Sequence, residues 1–356
     1  MNTQEILLWL LENGGPTIRL RTVTELMEPN SGLDINRMVE NLVESREVKV
    51  WLDNLDPKNV NQRTYHGCAN ICFENSMSKL AQLGMRAGMS ALDERTQPLR
   101  NWLVNMVNTP IEQWDVFAMT IFASFFAVAG YTDTAINEFL NSRLETLYAF
   151  TSMGNYDIYD DTGKYKGVPK AFQGRPIINP HLYVKGNYRY PLIYDVYGLS
   201  TMINKGDMAA DDKIDTVIKY IMAPEYHGKI VDGYGILASP NGKYHGMGWD
   251  AKVPGFFGIG EEVTRKGNLL IQRMELMAHF PFVVRTTWFA SALDHLETFR
   301  TGKGTYNFPK HYLGEKEGYW VYGMHMGLGE NRRAKIANEL ESTFWMMLIK
   351  KLAEML

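Results

Sequence analysis

The stretch Thr109–Gly130, TPIEQWDVFAMTIFASFFAVAG, limits most sharply what this chain can fold into. It opens with helix-start chemistry: Thr109 at the N-cap, Pro110 at the first helical position, Glu112 placed to complete a capping box. From Val116 to Ala129 no charge follows, and Phe117, Ile121, Phe122, Phe125, Phe126 and Val128 point all around a 3.6-residue wheel. A helix apolar on every side must be enclosed by protein or by lipid. The apolar run, Val116 to Tyr131, is 16 residues, short of the roughly 20 that a bilayer span needs. The expectation is an inner helix wrapped by a shell of other helices.

Charge and cysteine content narrow the setting. A net charge of −3 and a pI near 6.3 offer no broad basic surface to nucleic acid or anionic membrane. The two cysteines, Cys68 and Cys72, are too few for a disulfide framework and fit a reducing compartment. The opening MNTQEILLWLLENGG lacks the basic start and small-residue cleavage site of a signal peptide. A cytoplasmic protein without an integral membrane span is expected.

Periodicity supplies the other helices. Ile136, Leu140, Leu144 and Leu147 form a one-sided stripe, as do Ile214, Val217, Ile218, Ile221 and Met222, which reads as outer helices wet on the far side. Tyr190–Asn204 and Phe282–Phe299 read as inner helices, and Glu330–Met355 as a long amphipathic one closing the chain. Asp34–Asp53 reads as one helix. A helix follows Gly67 with Ile71, Met77, Leu80 and Leu83 inward, and the next, Leu92–Val107, is interrupted at Pro98.

A weak repeat runs through these elements. Three times an apolar helix ends in glycine and a more polar helix follows, at Gly84, Gly130 and Gly206. Helix pairs recurring every ~40–50 residues build arrays that stack or close into a ring. About twelve helices in six pairs favour closure. Three non-helical stretches, 151–185, 227–260 and 301–318, exceed the ~15 residues usual for a structureless connection, and are expected to cover a pocket.

The residues Tyr194-Asp195-Val196-Tyr197-Gly198-Leu199, then Gly206-Asp207 and Asp211–Ile221, then Asp232-Gly233-Tyr234-Gly235-Ile236, make the chain resemble the α/α-toroid superfamily of terpenoid cyclases and protein prenyltransferase β-chains. Leu8-Trp9-Leu10-Leu11-Glu12 with Gly14-Gly15 adds a second fragment. The resemblance implies an all-α (α/α)6 toroid, one domain over residues 1–356, with a central chamber. It does not carry the chemistry over: the cyclase Asp-x-Asp-Asp acid is missing, Asp157-Ile158-Tyr159-Asp160-Asp161 being its nearest approach, and no Asp/Cys/His set matches the prenyltransferase zinc ligands.

In such a ring the inner helices run parallel, so their N-termini and positive dipole ends gather at one mouth. Residues expected there are Arg19, Arg21, Tyr65, His66, Cys68, Trp114, Asp115, Tyr190, Tyr194, Asp195, Arg285 and Trp288, with Trp320, Tyr322 and His325. The loop His245–Asp250 lies across the mouth in this reading. Aromatic walls with a few convergent acids and bases are the composition of small-molecule pockets. Each residue also has a structural alternative. Arg19 and Arg21 suit solvated positions or pairing with Glu25, which is one turn on from Arg21, and Asp115 and Asp195 suit bonds to a helix start as well as general acid work. His66, Cys68 and Cys72 fall short of the four ligands of structural zinc, so neither metal nor cofactor is assigned. Gly255–Gly260 lacks the preceding strand and the glycine offset of a dinucleotide fingerprint.

The leading expectation is an enzyme performing acid/base chemistry on a small, largely apolar or aromatic, possibly terpenoid-like molecule: a lyase, isomerase, cyclase or hydrolase. Asp115, Asp195, His66 and Asp250 are its acid/base candidates. Tyr65, Trp114, Tyr190, Tyr194, Trp249 and Trp288 are its walls, and Arg19, Arg21, Arg285 and His325 its polar contacts. A carbohydrate-active toroid would instead use Asp195 and Asp250 as paired carboxylates with Trp249 as platform. A non-catalytic scaffold holding a lipid or a partner protein is the third possibility. The sequence leaves the oligomeric state open.

Overall fold

A computed structural model gives the fold and describes every residue except 29–31, 59–63, 108, 110–113, 184, 185 and 240, and the side chain of 262. The expected capping residues Pro110 and Glu112 lie outside the described residues, as does the end of the 151–185 stretch. The described chain is mainly helical. Its helices are α1 (Thr3–Asn13), α2 (Pro16–Arg21), α3 (Ile35–Glu44), α4 (Arg46–Asn54), α5 (Phe73–Gln82), α6 (Ser90–Val107), α7 (Asp115–Val128) and α8 (Thr134–Thr151). After them come α9 (Ile193–Ser200), α10 (Met208–Ile221), α11 (Pro224–Lys229), α12 (Glu261–Arg265), α13 (Gly267–Met277), α14 (Pro281–Val284), α15 (Thr287–Glu297) and α16 (Ala337–Leu352). None of the described helices is long and apolar enough to cross a membrane.

The expected all-α class needs one correction. Four short strands, β1 (Tyr159–Asp160), β2 (Ile177–Ile178), β3 (Ile236–Ala238) and β4 (Tyr244–Gly246), form a sheet in the order β1-β2-β3-β4. The β2–β3 pair is parallel and the outer two pairs are antiparallel. These strands come from the stretches 151–185 and 227–260, so two segments read as loops are stitched together by backbone hydrogen bonds. Runs of two or three residues are too brief to show an alternating pattern.

By packing, the chain forms two compact units. Unit 1 holds Met1–Asn101, Val128–Tyr131 and Val253–Leu356, and unit 2 holds Trp102–Ala127 and Thr132–Lys252.

In unit 2, every residue of α7 from Val116 to Phe126 is buried, as its all-round apolar surface requires. Phe117 stacks on Trp249 at 4.0 Å, and Phe125 meets Tyr194 and Tyr197 at 5.9 and 5.5 Å. The helix α9 is buried from Ile193 to Leu199. A Cβ at its Gly198 would stand 2.7 Å from Leu140 Cδ2 and 2.8 Å from Ser124 Oγ, so glycine lets α9 lie close to α7 and α8. The helices α8 and α10 bury their predicted stripes and leave the opposite faces wet.

Unit 1 departs further from the pattern. Asp34–Asp53 is two helices, because Ser45 is extended and caps α4 through its side chain. Pro98 sits within a continuous α6. Ile71 precedes α5 and is exposed. Phe282–Phe299 is split into α14 and α15, and α15 buries one side only. The closing helix α16 is not amphipathic in its setting: every residue from Leu340 to Ile349 is buried. The repeat glycines Gly84 and Gly130 of unit 1 and Gly206 of unit 2 adopt φ of 97°, 92° and 89°, a left-handed stop that glycine alone makes without strain.

Candidate active site

Among the helices of unit 1, α5 is the one whose sequence fits its surroundings least. Glu74, Asn75, Ser76, Ser78, Lys79 and Gln82 are all buried in it, and a buried polar group without a partner loses about 1–3 kcal/mol. Residues 66–69 and the segment 315–327 supply most of the partners, while Ser78 Oγ and Gln82 Nε2 have none among the described residues. Lys79 Nζ donates to Glu315 Oε1 at 2.6 Å and to the carbonyls of His325 and Gly327 at 2.9 and 2.5 Å. Burial pulls the Glu315 carboxyl up, but Lys79 and His325 together hold it below its ordinary range.

Trp320 is fixed on three sides. Its backbone N–H donates to Asn75 Oδ1 at 2.7 Å and its indole N–H to Gln82 Oε1 at 3.1 Å. Gln272 on α13 donates to its carbonyl at 2.6 Å. The neighbours of this anchored residue, Tyr319 and Tyr322, are half-buried with ring centroids 5.9 Å apart.

At the start of α5 the same helix holds a histidine. The fully buried Glu74 carboxylate accepts the Gly67 N–H at 3.0 Å and lies 3.1 Å from His66 Nδ1. The His66 ring packs against Tyr319 at 5.1 Å and beside Tyr65 at 6.4 Å, and its side chain is 19 % exposed. A carboxylate at Nδ1 sets the tautomer and stabilises the imidazolium formed when the other nitrogen takes a proton. The exposed Cys68 follows two residues on, and the buried Cys72 occupies the N-cap position of α5. Burial, and then Glu74, push the Cys72 thiol up. Burial raises the Tyr319 phenol too, with Glu74 and both cysteines adding to it. The result is an oriented imidazole in an aromatic surround, with a buried carboxylate behind it and a surface thiol nearby.

The other unit 1 candidates hold structural positions. Arg21 is buried, with Nε and Nη2 on the Glu25 carboxylate at 2.9 and 2.7 Å, Nη1 on the Gln82 carbonyl at 2.7 Å, and its face 4.7 Å from the Phe344 ring. The expected anion contact is thus already filled by Glu25, which Arg86 also meets at 2.9 Å. Arg19 is exposed and donates to the Glu12 carbonyl at 2.9 Å. Trp288 is buried, its indole donating to the Pro254 carbonyl at 2.8 Å, and Arg285 is exposed at the end of α14. His325 is buried edge-on to Trp51 at 5.1 Å and 3.5 Å from Glu315.

In unit 2, Asp195 is committed to architecture. Both its oxygens receive Arg143, Nε and Nη2 each at 2.9 Å, and the Leu192 N–H at 2.8 Å adds a helix cap. Asp250 accepts the Gly233 N–H at 2.6 Å and the Lys252 N–H at 2.9 Å. It thereby pins a turn in which Gly233, Tyr234 and Gly235 all have positive φ. Asp115 is half-buried at the first position of α7. Trp249 is buried and stacked on Phe117, so its ring face is already covered. Tyr194 is fully buried between Phe117 and Phe125. Tyr190 is equally buried, and its hydroxyl has no hydrogen-bond partner among the described residues. Trp114 meets His245 edge-on at 5.0 Å.

Glu74, Lys79, Tyr319 and Arg143 escape a sequence reading. The aromatic density of Tyr319-Trp320-Val321-Tyr322 was a usable signal, but Glu74 stands eight positions after His66 with no motif linking them. Among the described residues no group of three or more His, Cys, Asp or Glu side chains is arranged to hold a metal ion. No family model, curated protein or solved structure matches the chain.

Proposed function

We propose that this chain is an enzyme that moves a proton on a small, largely apolar or aromatic molecule, with His66 as the acid/base group and Glu74 as the residue that orients it. The observation that carries the reading is the His66 Nδ1–Glu74 contact of 3.1 Å between a half-buried ring and a fully buried carboxylate. A positioned histidine contributes about 10²–10⁴-fold to proton transfer. Tyr65, Tyr319 and Tyr322 supply an aromatic surround suited to a planar or terpenoid-like substrate, and lyase, isomerase, cyclase or hydrolase chemistry all begin with such a step. The setting is cytoplasmic, consistent with two free thiols. The (α/α)6 toroid is the arrangement we propose for the helices, on the strength of the helix–glycine repeat and the enclosed α7.

The test is exchange of substrate C–H protons in D₂O across a panel of aromatic and isoprenoid carbonyl compounds, followed by NMR. On any compound that exchanges, His66→Gln should lose at least ~100-fold and Glu74→Gln ~10-fold or more, with unchanged circular dichroism. Full activity in His66→Gln rejects the reading. A panel with no exchange, together with a ligand retained through purification and left unaltered, moves the choice to a binding scaffold.

A further inference from the structure

Unit 2 contains a cleft of about 520 Å³ that none of the groups discussed above explains. Val107, Val116, Met119 and Phe139 give it apolar walls, and Glu138, Ser142, Arg143, Thr146 and Asn187 give it polar ones. That volume lies in the range of pockets that hold drug-sized molecules. Its electrostatics are decided by which charges are already cancelled. Arg143 is buried, and its guanidinium is spent on both oxygens of Asp195 and on the Tyr188 carbonyl, the last at 2.6 Å. Glu138 has no ion-pair or hydrogen-bond partner among the described residues. Among the described residues the lining therefore carries one uncompensated charge, and it is negative, on the exposed Glu138.

We infer that this cleft binds a small amine: an ammonium group beside Glu138, with an apolar or aromatic body against Val116, Met119 and Phe139. Ser142 and Asn187 stand where neutral hydrogen bonds add to orientation. A carboxylate-bearing ligand of the same shape is disfavoured, because the one cation among the described residues of the wall, Arg143, is neutralised by Asp195 and Glu138 repels it. The site is independent of the proposed proton transfer at His66, and either stands without the other.

Three probes with one body and different heads separate the possibilities: 3-phenylpropylamine, 3-phenylpropanoate and 3-phenylpropan-1-ol, titrated into the full chain and followed by NMR. The amine should bind at least ~10-fold tighter than the carboxylate, with the alcohol between them. Glu138→Gln should erase the preference for amine over alcohol while alcohol binding persists. Ser142→Trp places a large side chain in the cleft from an exposed position of α8, so the fold should survive while binding of all three probes is lost. Equal binding of amine and carboxylate overturns the inference. Amine binding that survives Ser142→Trp overturns it, as does the absence of binding by any of the three.

Discussion

Arg143 on α8 and Asp195 on α9 meet through two parallel hydrogen bonds of 2.9 Å, with side chains 5 % and 1 % exposed. The planar guanidinium fork matches the carboxylate, and the remaining Nη1 reaches the Tyr188 carbonyl. A carboxylate at the third position of a buried helix invites a general-acid reading, and the same position is where a helix start needs an acceptor. With its oxygens on Arg143 and on the Leu192 N–H, Asp195 fastens α9 to α8 and to the segment leading into α9.

Breaking one side of that pair leaves an unpaired charge in the interior. Arg143→Met is expected to destabilise unit 2 by about 3–5 kcal/mol, and Asp195→Asn by a comparable amount. The midpoint of urea unfolding measures both. The double variant should lose less than the sum of the single losses, since the partners are coupled.

Lys79 makes the corresponding prediction for unit 1. Its ammonium is fully buried and ties α5 to Glu315, His325 and Gly327. Lys79→Met removes three donor contacts and leaves two carbonyls short of a partner, a loss of about 3 kcal/mol or more. The effect should be local first: amide exchange should accelerate across 315–327 before it does in α16. Uniform acceleration throughout unit 1 would contradict the assignment of Lys79 as the tie for that segment.

Gly198 tests the close approach of α7, α8 and α9. Alanine there would put a methyl within 2.8 Å of Ser124 Oγ and 2.7 Å of Leu140 Cδ2, and overpacking of this kind costs about 1–3 kcal/mol. Gly198→Ala combined with Leu140→Ala should recover part of the loss, because it removes the nearer obstacle. A fully stable Gly198→Ala chain would mean that the helices separate without penalty.

What the sequence made legible followed from how much surface each pattern controls. The helix α7 declared its burial because its apolar residues cover every direction, and α8 and α10 declared theirs because one stripe suffices. The helices α5 and α16 hid theirs: Glu74, Lys79, Glu341, Ser342 and Thr343 look like a solvated face until the partners that satisfy them are known. Several of those partners lie far along the chain, Glu315 being 236 positions from Lys79 and Trp320 245 from Asn75, and no local pattern reports such a pairing. The same holds for the site. His66 was a candidate by residue type, whereas Glu74, which gives it an orientation, is separated from it by a turn. Asp195, Asp250 and Arg21 are residue types that serve catalysis and capping alike, and the sequence does not show the hydrogen bonds that occupy them in the fold.

Two buried titratable groups should tilt stability in opposite directions with pH. Glu341 on α16 is fully buried. Burial lifts its carboxyl from 4.5 to about 7, against the pull of Arg332 at 2.6 Å and the N–H groups of Leu328 and Glu330. Between those values the folded chain keeps a proton that the unfolded chain has released. Its stabilising effect is therefore complete below pH 4.5 and disappears as pH rises through 7, at about 1.4 kcal/mol per pH unit. His227 in unit 2 is pushed down from 6.5 to about 3, by burial first and by Lys252 second. There the unfolded chain takes up a proton that the folded chain refuses, so stability is lost as pH falls from 6.5 towards 3. Glu341→Gln should remove the decline in unit 1 between pH 4.5 and 7, and His227→Gln should remove the acid-side decline in unit 2. Native-state amide exchange read separately in α16 and in α10–α11 from pH 4 to 8 resolves the two. A Glu341→Gln profile in α16 indistinguishable from that of the unaltered chain would show that its carboxyl titrates in the fold as it does in water.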